Sequence, residues 1–133
     1  MHLANKSIAA GGLPDKTLGL VHLRASQINN CGVCLDGHQH LAKKAGESHE
    51  RLFTLSAWRE TPYFIEPERA ALLLREAVTR LSDREDAVPD AVWAEVRKHD
   101  DERQISALIM SISLTNVWNR LNVATRQIAG IRW

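Results

Sequence analysis

Charge of one sign, long apolar runs and strand-like alternation are all missing from this chain. Its 17 Lys and Arg are offset by 16 Asp and Glu among 133 residues, a formal net charge of +1. The two signs alternate along most segments instead of collecting into a basic stripe, which argues against nucleic acid as the main partner. No apolar run approaches the ~20 residues that a membrane-spanning helix needs. The opening MHLANKSIAAGG lacks a charged start followed by a sustained apolar stretch, so it does not read as a secretory signal. The expectation is a cytoplasmic protein with no membrane and no nucleic-acid partner. Neither repeats nor low-complexity segments occur. The length predicts a single domain over residues 1–133, able to bury a core without staples.

What the chain does carry is helical periodicity. Gly11, Gly12 and Pro14 end a first short segment and open the next, Pro14 being compatible with a helix start. From Asp15 to about Ile28, the residues Leu18, Val21, Leu23, Ala25 and Ile28 give a broad apolar side. Asn29 or Asn30 is expected to cap a helix reaching about Ala45 and closed by Gly46, from the known preferences at helix ends. Ser48 is expected to cap SHERLFTLSAWRE, which stops before Thr61 and Pro62. Glu66–Leu81 begins with Pro67 and Glu68, suited to a first turn. Its Ala70, Leu73, Leu74, Ala77, Val78 and Leu81 fall at helical spacing.

Ser82–Asp86 reads as a charged turn, and Pro89 opens a short helix holding Val92, Trp93 and Val96. A last helix is expected from about Asp101 to Ala129, with Gly130 as its stop. Its apolar residues between Ile105 and Leu121 cover more than one stripe, the pattern of a helix buried on two sides. That helix is either a central core element or one packed partly on another subunit. Trp58, Trp93 and Trp118 are expected in the core or at an interface, and the terminal Trp133 is either frayed or docked. The fold expected is all-α, with six or seven helices.

The two cysteines lie in NNCGVCLDGH, Asn29 to His38. At about 100° per residue, taking Cys31 as zero, Cys34 falls near ~300° and His38 near ~340° on a helix. Both thiols and the imidazole share one face, while His40, near ~180°, lies opposite. In the cytosol a CxxC pair is more often catalytic or metal-binding than a passive disulfide. A structural zinc site needs four ligands. This stretch supplies three, with His22 on the preceding helix as the obvious fourth candidate. A redox site needs less: a helix N-terminus lowers thiol pKa, with the dipole favouring charge on Cys31 most. His38, at i+4, can accept the proton of Cys34 and hold its thiolate as part of an ion pair. One thiol can then attack while the other resolves the oxidised product. Asp36 reads as a first-turn carboxylate favourable to the helix dipole.

The segment LRASQINNCGVCLDGHQHLAKKAGE, Leu23 to Glu47, resembles the AhpD-like alkylhydroperoxidases of the carboxymuconolactone decarboxylase superfamily. Their pattern is close to LRASQINGCxxCxxxH. ERAALLLREAVTRLSD, Glu68 to Asp83, and NVWNRLNVATR, Asn116 to Arg126, extend the resemblance. It implies an all-helical fold assembled as homo-oligomers, dimers, trimers or hexamers, and a CxxC that reduces peroxides or exchanges disulfides. It assigns Cys34 as the peroxidatic residue, Cys31 as the resolving residue and His38 as the relay histidine. A small peroxide is then the substrate and an external thiol or disulfide system the reductant, with no organic cofactor. The branch that decarboxylates a carboxymuconolactone works without a cysteine pair, so a CxxC points away from that reaction.

The resemblance breaks in one place. The relay glutamate of that family lies twelve positions before the first cysteine, where this chain has Gly19. Some members also carry His or Tyr between the cysteines, where this chain has Gly32 and Val33. Loss of the carboxylate weakens activation of Cys34 or passes the task to another group. His22, one turn after Gly19, is one candidate, with an exposed surface histidine as its competing reading. Glu76 is another, with a salt-bridged carboxylate as its competing reading. Gly19 either allows close helix packing or leaves room for a ligand. The chain also begins later than such relatives usually do. A second reading of the whole is a non-catalytic oligomeric module that senses redox state or holds a metal.

Overall fold

The computed structural model describes residues 2–131. Seven α-helices and no strand occur among the described residues: α1 (His2–Ala10), α2 (Asp15–Ile28), α3 (Gly32–Lys44), α4 (His49–Thr54), α5 (Glu66–Thr79), α6 (Asp90–Arg97) and α7 (Glu102–Ala124). The all-α fold is as the periodicity predicts. Trp133 lies outside the described residues.

Helix α2 sits at the centre, packed against α3, α5 and α7. Its apolar residues point in two directions and feed two clusters. Val21 joins Ala70, Leu74, Val96, Leu108 and Ile112 in one, while Leu20 and Leu23 join Ala42, Leu55, Trp58 and Leu72 in the other. Each fully buried Leu or Ile here contributes roughly 1.5–3 kcal/mol. Helix α1 closes over α7 through Gly11, where a Cβ would collide with the Cβ of Ala107. Ser48 caps α4 as expected, accepting a hydrogen bond from the Arg51 amide. The expected single helix then breaks after Thr54 into a 3-10 helix, Leu55–Glu60, with a non-helical Ala57.

Three expected boundaries differ from those observed. Helix α2 ends in a Schellman motif, with the Asn30 amide donating to the Gln27 carbonyl and the Cys31 amide to Ser26. Asn30 takes the left-handed conformation that this requires (φ 51°), so neither it nor Asn29 caps the next helix. The N-cap of α3 is Cys31 itself. Helix α7 stops at Ala124 and not near Ala129. Arg126 adopts φ 55° and the Gln127 amide donates to the Asn122 carbonyl, the same motif without a glycine. Helix α5 ends at Thr79, and Leu81 belongs to a short 3-10 turn.

The α7 apolar arc divides along its length. Ile105, Leu108 and Ile112 are buried, whereas Val117, Trp118, Leu121 and Val123 are exposed. Of the tryptophans, Trp58 is buried and Trp93 packs partly against the first cluster, while Trp118 remains 45% exposed. No helix is long and apolar enough to cross a membrane among the described residues.

Candidate active site

Three helices build the site. The α2–α3 junction sets Cys31 and Cys34, which form a disulfide with Cα atoms 5.3 Å apart. With Cys31 as N-cap, Cys34 is the third helical residue of α3, inside the first turn, where free amides and the helix dipole favour a thiolate. Both sulfurs are enclosed, Cys31 at 1% exposure and Cys34 at 7%. A cavity of about 370 Å³ opens on Cys34, His22, His38, Ser111 and Asn122, and Cys31 does not line it.

A run of asparagines on α7 holds the junction in place. Asn29, the residue closing α2, donates its amide to the side-chain oxygens of Asn116 and Asn119, both at 2.9 Å. Asn119 donates to the Ser26 hydroxyl at 3.1 Å. Asn122 donates to the Cys34 sulfur at 3.4 Å. Residues three apart share a helix face, so one face of α7 touches the end of α2 and the reactive turn of α3 together.

His38, one turn beyond Cys34, meets His22 of α2 with ring centroids 4.9 Å apart. His22 Nε2 shares a hydrogen bond of 2.7 Å with the Ser111 hydroxyl. His22 is therefore not a surface histidine; it is half-buried and faces the site, as does His38. His40 is exposed on the other side of α3. Burial, followed by the charges of His38 and Arg75, pushes His22 down to about 3. Burial and Arg75 push His38 down to about 4. Both imidazoles are neutral at physiological pH.

Gly19 leaves open space: a Cβ there would meet nothing within 4 Å. It helps line a second cavity of about 330 Å³, which His22 and His38 also border. The imidazole pair thus stands between two openings. Glu76 does not approach the pair as a base. It accepts hydrogen bonds from Arg24 at 2.7 Å and Trp58 at 3.0 Å and pairs with Arg59 at 2.6 Å. Burial alone would raise its pKa, but those bonds outweigh it and hold the carboxyl below its ordinary range. Asp36 lies past the first turn of α3, accepting from the Gly130 amide at 3.1 Å. Among the described residues, no three His, Cys, Asp or Glu side chains are grouped as metal ligands.

The residue that periodicity hides is Arg75 of α5. It is 0% exposed, and none of its three guanidinium nitrogens has a hydrogen-bond partner among the described residues. Burial pushes it down to about 9, so it still carries its charge at neutral pH. An arginine between Leu72 and Thr79, at the i−3 and i+4 positions of one helix face, was the available signal. For Asn122 the signal was the spacing of Asn116, Asn119 and Asn122 in NVWNRLN.

Residues 1–77 match the carboxymuconolactone decarboxylase family. The uncharacterized protein YdfG of Bacillus subtilis strain 168 is 39% identical over 108 residues, spanning 81% of this chain and 72% of its own. The uncharacterized protein YnjA of Escherichia coli K12 is 32% identical over 106 residues, spanning 79% of this chain but only 56% of its own length. A crystal structure from Agrobacterium tumefaciens, of a protein of unknown function suggested to be the antioxidant defence protein AhpD, superposes with TM-score 0.90 at 31% identity. That match covers 98% of this chain and 88% of the other. The debrominase Bmp8 shares the fold, with TM-score 0.81 at 18% identity over 95% of this chain and 67% of its own. The chain belongs to the carboxymuconolactone decarboxylase family.

Proposed function

We infer that this family member is an AhpD-like thiol oxidoreductase that reduces hydroperoxides through Cys34, with Cys31 as resolving thiol. One observation carries the reading: Cys34 lines the cavity while its bonded partner does not. In the reduced protein the Cys34 thiol gives its proton to His38, and its sulfur attacks the terminal peroxide oxygen. The O–O bond breaks, and the leaving alkoxide takes the proton back from His38 to leave as an alcohol. The Cys34 sulfenic acid then condenses with the Cys31 thiol, releasing water and closing the disulfide. An external thiol or disulfide system returns the pair to its reduced state.

His38 acts here as a neutral relay and not as half of a lasting ion pair, because burial, and after it the Arg75 charge, opposes a resident imidazolium. His22, fixed by Ser111, sets the orientation of His38 in place of the carboxylate missing at Gly19. The exposed apolar face of α7, Val117, Trp118, Leu121 and Val123, supports assembly as a homo-oligomer. An antioxidant role in the cytoplasm is the corresponding biological reading.

The test is peroxide consumption by the full chain supplied with a dithiol. Wild type should turn over and Cys34→Ser should be inert, while Cys31→Ser, reduced and then freed of dithiol, should consume one equivalent and stall. Full activity in Cys34→Ser would end the proposal. Disulfide formation with no turnover in wild type would favour the sensing module.

A further inference from the structure

A buried guanidinium without a partner is costly, because nothing replaces the water it has lost. Arg75 is in that state while Cys31 and Cys34 are bonded to each other. It belongs to α5, which packs against both α2 and α7. Thr79, one turn further along α5, takes a hydrogen bond from Asn116 of α7, and Ser111 of α7 holds His22 of α2. The Arg75 charge reaches both His22 and His38, and His38 is one helical turn from Cys34. The groups around the sulfur are otherwise neutral: His22 from α2, His38 from α3, and Ser111 and Asn122 from α7. The disulfide form therefore buries a fixed positive charge that has no hydrogen-bond partner among the described residues.

We propose that Arg75 is an electrostatic positioning residue whose missing counter-charge is the Cys34 thiolate, so that the oxidised pair is the less stable form and accepts electrons from low-molecular-weight monothiols. This builds on the thiol reading above but concerns the redox poise of the pair and not the peroxide step. A monothiolate entering the cavity attacks the Cys34 sulfur. The Cys31–Cys34 bond breaks, and Cys31 leaves with the electron pair and takes a proton. A second monothiolate attacks the external sulfur of the mixed disulfide, and Cys34 leaves as thiolate. Two monothiols have become one small disulfide, two electrons have entered the protein, and one of the two thiol protons is left in solvent. The Arg75 charge, which acts on His38 one turn from Cys34, stabilises the thiolate over distance in a poorly screened interior.

The experiment is equilibration of the full chain with reduced and oxidised glutathione, read by thiol trapping, for wild type, Arg75→Met and Arg75→Lys. Methionine fills similar space without charge. Its variant should be at least tenfold harder to reduce, a drop of about 30 mV for a two-electron couple, and its Cys34 thiolate should titrate at higher pH. Lysine should restore much of both, which a purely structural role would not do. Wild type alone also decides the matter: the reduced protein should melt above the oxidised one. A methionine variant within twofold of wild type, or an oxidised form that melts higher, overturns the proposal. Neither readout needs peroxidase turnover, so a protein inert toward peroxides would still show whether Arg75 sets the poise of the pair.

Discussion

Asn122 of α7 donates its side-chain amide to the Cys34 sulfur of α3 at 3.4 Å, across 88 residues of sequence. The bond is one of the few polar contacts available to that sulfur, and it gains strength when the sulfur is ionised, as hydrogen bonds to charged acceptors do. Helix α7 is in this way part of the chemical site as well as part of the core.

Removing that donor should make the thiol harder to ionise. Asn122→Ala is expected to raise the Cys34 thiolate pKa by about one unit, equivalent to about 1.4 kcal/mol, and to slow peroxide reduction near neutral pH in proportion. Thiolate absorbance against pH, in a Cys31→Ser background, checks this. An unchanged titration would mean the contact contributes nothing once the disulfide opens.

Acid should destabilise the protein in two stages. The folded-state pKa values of His22 and His38 lie below the ordinary histidine value of 6.5, at about 3 and about 4. The unfolded chain therefore takes up protons first. Their contribution is fully present above pH 6.5 and is lost as pH falls through 6.5 toward about 4 for His38 and about 3 for His22, by about 1.4 kcal/mol per pH unit for each histidine. Glu76, also depressed but from 4.5, adds its loss only at the lower end. Urea unfolding between pH 7 and 5 should show the histidine stage alone, and replacing both histidines with glutamine should flatten it.

The left-handed residue before the cysteines is expected to respond to backbone chemistry alone. Asn30→Gly should leave stability nearly unchanged, because glycine adopts φ 51° freely. Asn30→Val should cost about 1–2 kcal/mol or more and should disturb disulfide closure as well. Denaturant midpoints and the rate of thiol oxidation measure the two effects separately.

Much of this arrangement was legible in local sequence. Apolar residues at helical spacing located α2 and α5, and the i+4 relation of Cys34 and His38 survived intact. Ser48 capped α4 as its chemistry suggests. What local reasoning missed was settled by tertiary contact or by a cap without glycine. Gly130 looked like a helix stop, yet Arg126 took the left-handed position four residues earlier. Asn29 looked like a cap for α3, yet it closes α2, and the N-cap position falls to Cys31. Arg75 and Ser111 read as unremarkable helical residues because the partner of one, and the absence of partners for the other, depend on helices far apart in sequence. Gly19 was recognisable as a departure, but only the packing shows that it leaves a gap and not a close helix contact.

Cys31 makes the last hydrogen bond of the motif that ends α2 and is itself the N-cap of α3, so no slack chain separates the two helices. Any displacement of the sulfurs when their bond opens or closes has no loop to absorb it. Helix α3, 13 residues and about 20 Å long, starts at the sulfur pair itself. Its last turn carries Lys43 and Lys44, and the carbonyl of Gly46, just beyond its end, accepts from Lys16 at 3.3 Å. Making or breaking the sulfur bond should therefore bear on the placement of α3 itself and not on a connecting loop.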